Sequence, residues 1–181
     1  MIEIIKLLVA PAIGLIGVLV GSRLKFKSDI KVKKEFLARE IRINKLQEIS
    51  HELSEMMREV AYSVSNITKR LHNEIADGEF RNLNDEHQER LIRWKRSLNI
   101  KMVFINKDYQ KRIGKFYDMS DVIDDKIFEG FHNPNTNNRR FSNDEITFDA
   151  IKKDIIQATE YVYQIIKDLN EDLLKEIEEL K

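Results

Sequence analysis

Apolar residues in the C-terminal part of the chain recur every three or four positions, which is the period of one face of an α-helix. Just before them, Ser142 and Glu145 have the spacing of a capping box, a pair that satisfies the first backbone amides of a helix. The apolar positions are Phe148, Ile151, Ile155, Ala158, Val162, Ile165, Leu169, Leu173, Ile177 and Leu180. The pattern predicts a long amphipathic helix that begins at the capping box.

The same period predicts a second long helix in the first half of the chain. Its apolar positions are Leu46, Ile49, Leu53, Met56, Val60, Val64, Ile67, Leu71 and Ile75. Asp77 and Gly78 follow, and an Asp-Gly pair commonly ends a helix. We therefore expect the helix to stop at this pair.

A shorter helix is predicted after a polar link. Asn84 or Asp85 can cap its start, and its apolar pattern continues to about Leu98. The apolar residues of 100–106 are then expected to form a buried connector.

A fourth helix is predicted at 107–129, with Asn106 as its N-cap. Four of its apolar residues are expected to face inward: Ile113, Phe116, Ile123 and Ile127. No strand-like alternation and no internal repeat is present in the sequence. The fold class is therefore predicted to be all-α, with a bundle of about four helices.

The N-terminal segment has a different pattern, because residues 7–21 carry no charge and six Lys or Arg follow within 23–34. A signal peptide would carry its cations before the apolar run, and Pro11 with three glycines would be a poor choice for a buried soluble helix. With two preceding isoleucines the run is about 27 Å long as a helix, near the hydrocarbon thickness of a bilayer. We therefore predict a transmembrane anchor with its basic stretch at 1–28 and a cytoplasmic domain at 29–181. The charge asymmetry places the N-terminus outside a cell inner membrane that the chain crosses once.

Small residues recur along one face of this predicted span. They are Ala10, Gly14, Gly17 and Gly21. Small residues allow close backbone approach between helices in lipid, where packing drives association. The strip therefore predicts a homo-oligomer interface.

Catalytic and metal-binding signatures are almost absent. The chain has no Cys, no P-loop, no Gly-x-Ser-x-Gly motif and no HExxH motif. The four histidines are not paired at helical spacing, so neither a metal nor another cofactor is expected. Asp118, Asp121 and Asp125 share one helix face, which we interpret as a solvated acidic surface in preference to a cation site.

Basic residues are concentrated between 90 and 115, although the chain as a whole has no net charge. An ordinary solvated helix flank explains such a cluster most simply, and an RNA-facing surface or the cationic vestibule of an oligomeric channel are the functional alternatives. The candidate residues are Arg90, Arg93, Arg96, Lys111, Arg112 and Lys115, with Arg139 and Arg140 from a later loop.

Taken together, the predicted span, the helical domain and the length resemble the small membrane-spanning accessory proteins of type VI-B CRISPR systems, a divergent HEPN-like helical family. That family is associated with an Arg-x(4–6)-His motif, which "RNLNDEH" (Arg81 to His87) matches. The resemblance implies a homo-oligomeric, pore-forming protein of the lipid bilayer that enhances antiphage defence by an RNA-guided RNase through membrane depolarisation.

Two alternatives remain beside this non-enzymatic hypothesis. The first is a membrane-tethered HEPN-like ribonuclease that uses Arg81 and His87 as catalytic residues. In active HEPN ribonucleases the motif lies inside a helix, whereas "NLND" favours a loop and a cap at this position. The second alternative is a passive membrane scaffold that binds a partner protein.

Overall fold

The structure, a computed structural model, describes residues 2–134 and 139–179, and for 2–20 only the helical backbone. It contains four helices: α1 (Ile2–Leu71), α2 (Asp77–Lys101), α3 (Lys107–Ile127) and α4 (Phe148–Glu178). A 3₁₀ turn, Met102–Phe104, follows α2, and a π-helical turn, Phe128–His132, follows α3. No β-strand occurs in these ranges, and the all-α prediction is confirmed.

The chain divides into two compact units, residues 1–42 and 43–179. In the second unit, apolar stripes from all four helices enclose one hydrophobic core. The predicted inward positions of α3 are confirmed, because Ile113, Phe116, Ile123 and Ile127 are all at most 2% exposed. The α4 stripe is also confirmed from Ile151 to Leu169. The helical bundle is therefore built on the periodic pattern of the sequence.

Polar contacts at the edges of the core show that α3 and α4 run antiparallel. Tyr109 Oη donates to Asp172 Oδ2 at 2.9 Å, near the start of α3 and the end of α4. At the opposite end, Lys126 Nζ donates to Asp154 Oδ2 at 2.7 Å. Partners that advance along α3 thus move backwards along α4, which fixes the register of the pair.

α1 and α2 are also antiparallel within the second unit. Ser97 Oγ, near the end of α2, donates to Glu52 Oε1 of α1 at 2.6 Å. Further along α1, Glu59 contacts His87 from the middle of α2. Ser50 Oγ of α1 donates to Asn170 Oδ1 of α4 at 3.0 Å. These contacts position polar side chains of three helices around the core.

The predicted membrane placement is contradicted. Across the residues that the structure describes, no helix has an apolar stretch long enough to cross a bilayer. The prediction of a single-pass inner-membrane protein is therefore wrong. Most of the predicted span falls on residues 2–20, whose side chains lie outside the described part of the chain.

The boundary between α1 and α2 differs from the prediction. α1 ends at Leu71, and the Asp77-Gly78 pair lies in the first turn of α2 instead of stopping α1. Asp77 and Glu79 supply negative charge at the start of α2, where it stabilises the positive end of the helix dipole. Asn73, at φ 55°, makes the turn in the left-handed region. The predicted start of this helix at Asn84 or Asp85 is consequently wrong by two turns.

Two other local predictions are partly correct. Asn106 caps α3 as predicted, because its Oδ1 accepts from Tyr109 N at 3.0 Å. Ser142 and Glu145 do contact one another, but the cap of α4 is Thr147, whose Oγ1 accepts from Ala150 N at 3.3 Å. The capping box therefore stabilises the turn that precedes α4.

The connector of residues 100–106 is less buried than predicted. Ile100 and Val103 are 76% and 78% exposed, and Phe104 is also exposed. Only Ile105 in this segment is buried. A high density of apolar residues therefore did not indicate burial here.

One carboxylate joins the beginning of the segment between α3 and α4 to its later part. Glu129, which is buried, accepts backbone hydrogen bonds from Arg140 N at 3.0 Å and from Phe141 N at 3.1 Å. Next to it, Gly130 lies so close to Ile146 that a Cβ at Gly130 would be 2.8 Å from the Ile146 carbonyl oxygen. The two ends of the segment are thus held together by contacts that tolerate little change.

Candidate functional site

A buried polar cluster joins α1 to α2. His87 Nδ1 lies 3.1 Å from Glu59 Oε2, and His87 Nε2 lies 3.1 Å from Ser63 Oγ. Arg90 Nε donates to the second carboxylate oxygen of Glu59 at 2.9 Å. We call Glu59, Ser63, His87 and Arg90 the α1–α2 cluster.

The protonation of the α1–α2 cluster follows from these contacts. Burial lowers the pKa of His87 below 6.5, and the hydrogen bond to Glu59 opposes this effect. Because a carboxylate only accepts, the neutral ring donates from Nδ1 to Glu59, and Nε2 then accepts the hydroxyl proton of Ser63. Both nitrogens of the neutral imidazole therefore have a hydrogen-bond partner, and the ring does not need a second proton to satisfy them.

This arrangement has the connectivity of a Ser–His–acid triad, in which a histidine links a hydroxyl to a carboxylate. The burial of the three side chains differs from that of a working triad, however. Ser63 is 3% exposed, His87 1% and Glu59 7%. Because a substrate must contact the hydroxyl oxygen, the geometry supports a structural role in holding α1 against α2.

The structure does not bring the side chains of the predicted Arg81–His87 pair together into one site. Both residues lie inside α2, so the expected loop and cap between them are not present. Six positions along a helix place two side chains about 120° apart around its axis. Arg81 is exposed, while His87 points into the α1–α2 cluster.

The predicted basic residues occur in three separate settings. On α2, Arg90 is held by Glu59 and Glu86, while Arg93 and Arg96 are exposed. On α3, Arg112 forms an ion pair with Asp168 at 2.6 Å, while Lys111 and Lys115 are exposed. α3 therefore offers less free positive charge than its sequence suggested.

The loop arginines also have partners. Arg140 forms an ion pair with Asp125 at 2.7 Å. Arg139 donates to Asn143 Oδ1 at 2.6 Å and to the backbone carbonyl of Pro134. Arg139 thus contacts its own loop region, whereas Arg140 joins this loop to α3.

The acidic residues of α3 are mostly exposed, in agreement with the solvated-surface interpretation. Asp118, Asp121 and Asp125 are exposed, and Asp121 contacts Lys95 of α2. Asp124 differs, because burial raises its pKa to about 7. No set of three or more potential metal ligands converges within the described part of the chain.

Residues 21–42, all in the first unit, expose an unusual number of large apolar side chains. We call this range the basic segment, since it carries eight Lys or Arg and three acidic residues. Seven large apolar side chains are between 38% and 66% exposed: Leu24, Phe26, Ile30, Val32, Phe36, Leu37 and Ile41. Sequence reasoning missed this feature because the cations dominated the segment, although the spacing of its apolar residues was visible.

The predicted small-residue interface is described at one position only. Gly21 is exposed, and an added Cβ would meet no atom within 4 Å. The side chains of Ala10, Gly14 and Gly17 lie outside the described residues. The interface prediction therefore stays a prediction.

No protein-family model matches this chain, no curated protein is significantly similar to it in sequence, and no solved structure is significantly similar to it in fold. The predicted relation to type VI-B CRISPR accessory proteins, and the coupling to an RNA-guided RNase, therefore remain predictions from the sequence.

Proposed function

We propose that this protein is a non-enzymatic helical scaffold that acts as a homo-oligomer, and that two copies associate through the basic segment. The exposure of large apolar side chains along residues 24–41 is the observation that carries the proposal. Large apolar side chains that the chain itself leaves uncovered are typical of an interaction site. Membrane depolarisation depended on the contradicted span and is not part of the proposed function.

Four of these side chains lie on one face of the helix. Phe26, Ile30, Leu37 and Ile41 are separated by four, seven and four positions, which places them within about 60° around the helix axis. Their exposed fractions range from 38% to 66%. They form an apolar stripe, interrupted at its middle by Lys33 and Lys34, which we call the apolar stripe of the basic segment.

The order of spacings in this stripe is the same in both directions along the chain. An antiparallel pair of identical helices therefore places Phe26 opposite Ile41 of a second copy, and Ile30 opposite Leu37. In the same register, Lys33 and Lys34 of each copy lie close to their own equivalents in the other, so like charges oppose the pairing at its centre. The self-complementary spacing of the four apolar residues supports a second copy as the occupant of the stripe.

The positive charge of the basic segment makes the salt dependence of binding different for a second copy and for an acidic partner. Eight basic and three acidic residues give the basic segment a formal charge of 8 − 3 = +5. Two such segments repel one another, so added salt should strengthen their association by screening. Binding to nucleic acid or to an acidic protein should instead weaken as salt is added.

The proposal is tested by the molar mass of the full chain in solution, measured against protein and salt concentration. Leu37→Lys places a charge in the stripe, where the wild-type side chain is 55% exposed before association. Burial of that half-exposed side chain would gain roughly 1 kcal/mol per copy, so the change should weaken dimerisation by about thirtyfold or more.

Val32→Lys is the matched control, because Val32 is 61% exposed on the same helix but lies on another side of it. We expect this variant to dimerise almost as the wild type does. A wild-type chain that stays monomeric at high concentration and high salt would exclude the proposed function. Equal losses in both variants would exclude the stripe as the interface.

A further inference from the structure

An open groove lies between α1 and α2, on the side of the α1–α2 cluster that faces solvent. Its volume is about 440 Å³, within the range of ordinary small-molecule sites. The groove is lined by Glu55, Arg58, Glu59, Arg90, Arg93 and Trp94. It therefore combines three guanidinium groups, two carboxylates and an aromatic ring.

The three arginines of the groove are not equivalent. Arg58 is paired with Glu55, and Arg90 with Glu59. Arg93 is exposed, and no acidic side chain in the described ranges forms an ion pair with it. A guanidinium without an acidic partner presents two parallel donors that match the oxygen atoms of a phosphate. Arg93 is thus available to bind an anion at one side of the groove.

Trp94 provides a flat surface beside this guanidinium. Its side chain is partly buried, and the ring packs edge to face with His51, at 6.4 Å between centroids. This contact restrains the indole while part of it still lines the groove. A restrained aromatic ring next to a cation suits a planar ligand with a negatively charged group, because nucleobases stack on aromatic side chains at a gain of about 1–3 kcal/mol per base.

We propose that this groove binds a nucleoside phosphate, with the base stacked on Trp94 and the phosphate bound by Arg93. Arg90 is held by the buried carboxylate of Glu59 and Arg58 by a surface pair with Glu55, so Arg93 is the cation that the ligand engages without displacing a carboxylate. Two sources present the same chemistry, a free mononucleotide and a nucleotide within single-stranded RNA. The groove lies at residues 55–94, so the inference is independent of self-association through the basic segment.

The chain contains one tryptophan and five tyrosines, so emission excited selectively in the indole reports on the surroundings of Trp94. AMP, GMP and UMP are titrated separately into the full-length protein, with excitation at the red edge of the indole absorption to limit absorption by the bases. Ribose 5-phosphate and inorganic phosphate serve as probes that lack a base. We expect saturable quenching by the nucleotides and little change with the two other anions.

Arg93→Gln should weaken nucleotide binding by about tenfold or more, since one charge-assisted contact to phosphate is lost. Arg96→Gln is the matched control, because Arg96 is exposed on the same helix and does not line the groove. A short single-stranded RNA that quenches at lower concentration than any mononucleotide would identify RNA as the source, and mononucleotides that bind as tightly would identify the free ligand. No saturable quenching by any nucleotide, or equal weakening by the two substitutions, would overturn the proposal.

Discussion

Two parts of α1 have similar apolar content and very different environments. Between residues 21 and 42 every side chain except Arg39 is exposed, including seven large apolar ones. From Ile43 to Ile67 the apolar stripe is buried against the other three helices. The helical period identifies an apolar face in both parts. Only the packing shows which face is covered within the same chain and which one stays exposed.

The largest expected effect contrasts one leucine from each part. Leu53 is fully buried, so Leu53→Ala should lower the free energy of unfolding by about 2–5 kcal/mol through lost burial and a residual cavity. Leu37→Ala should change it by no more than about 0.5 kcal/mol, because the side chain is already half exposed. Urea unfolding of both variants, at concentrations where the protein is monomeric, measures the difference. Similar losses would show that the two parts are not distinct in packing.

A second test uses pH, which should affect the buried part of α1 through the α1–α2 cluster. Burial lowers the pKa of His87 below its unfolded value of 6.5, so the unfolded chain binds a proton more readily than the folded one. The stability that depends on neutral His87 is therefore present above pH 6.5 and is lost as pH falls through the lower folded pKa.

His87→Gln has no ionisable side chain at this position. Its comparison with the wild type therefore measures how much His87 contributes to the pH dependence of stability. Asp124 has the opposite effect, because its pKa is raised to about 7 and its contribution to stability is lost as pH rises. Since Asp124 is present in both proteins, we compare wild type with His87→Gln in urea unfolding from about pH 7 to about pH 5. The stability advantage of the wild type should shrink on acidification, and a constant advantage would contradict the neutral, buried histidine.

The smallest effect compares two serines of α1. Ser50 Oγ donates to Asn170 Oδ1 of α4, so Ser50→Ala should lower stability by about 0.5–1.5 kcal/mol. Ser28 is exposed in the basic segment, and Ser28→Ala should have no effect or stabilise slightly, because alanine favours the helix. Thermal unfolding of the pair, measured under one buffer condition, resolves these signs. A loss in Ser28→Ala equal to that in Ser50→Ala would mean that the basic segment also packs within the monomer.

The sequence was sufficient for elements whose signals are local. Ile113, Phe116, Ile123 and Ile127 could be assigned to the core because four residues at helical spacing have one inward face in almost any bundle. The Asn106 cap could be assigned because its side chain bonds an amide three residues away. Both predictions depend on the geometry of a single helix.

Helix boundaries were less predictable, because the same residues serve opposite purposes. Asp77 and Gly78 are common at the end of a helix, but acidic residues also stabilise a helix start, and Asp77 accepts a hydrogen bond from Arg70 across the turn. In the same way, Ser142 and Glu145 have the spacing of a capping box, yet Thr147 is the residue whose hydroxyl meets the first free amide of α4.

The α1–α2 cluster and the groove beside it could not be derived from sequence. Ser63 and His87 are 24 positions apart, and Glu59 and His87 are 28 apart. Their contacts depend on the antiparallel register of two helices, which no local pattern encodes. Trp94 lines the groove together with residues of α1, and no local pattern on α2 indicates this position.

The carboxylate of Glu129 has a consequence for protein engineering. Because it holds the backbone amides of Arg140 and Phe141, it closes the base of the segment after Pro134 independently of what lies between. The entropic cost of a closed flexible loop grows only with the logarithm of its length, by about 0.6 kcal/mol per doubling. A reporter peptide inserted between Pro134 and Arg139 should therefore leave α3 and α4 in register, and that position is suitable for labelling the protein without disturbing the groove.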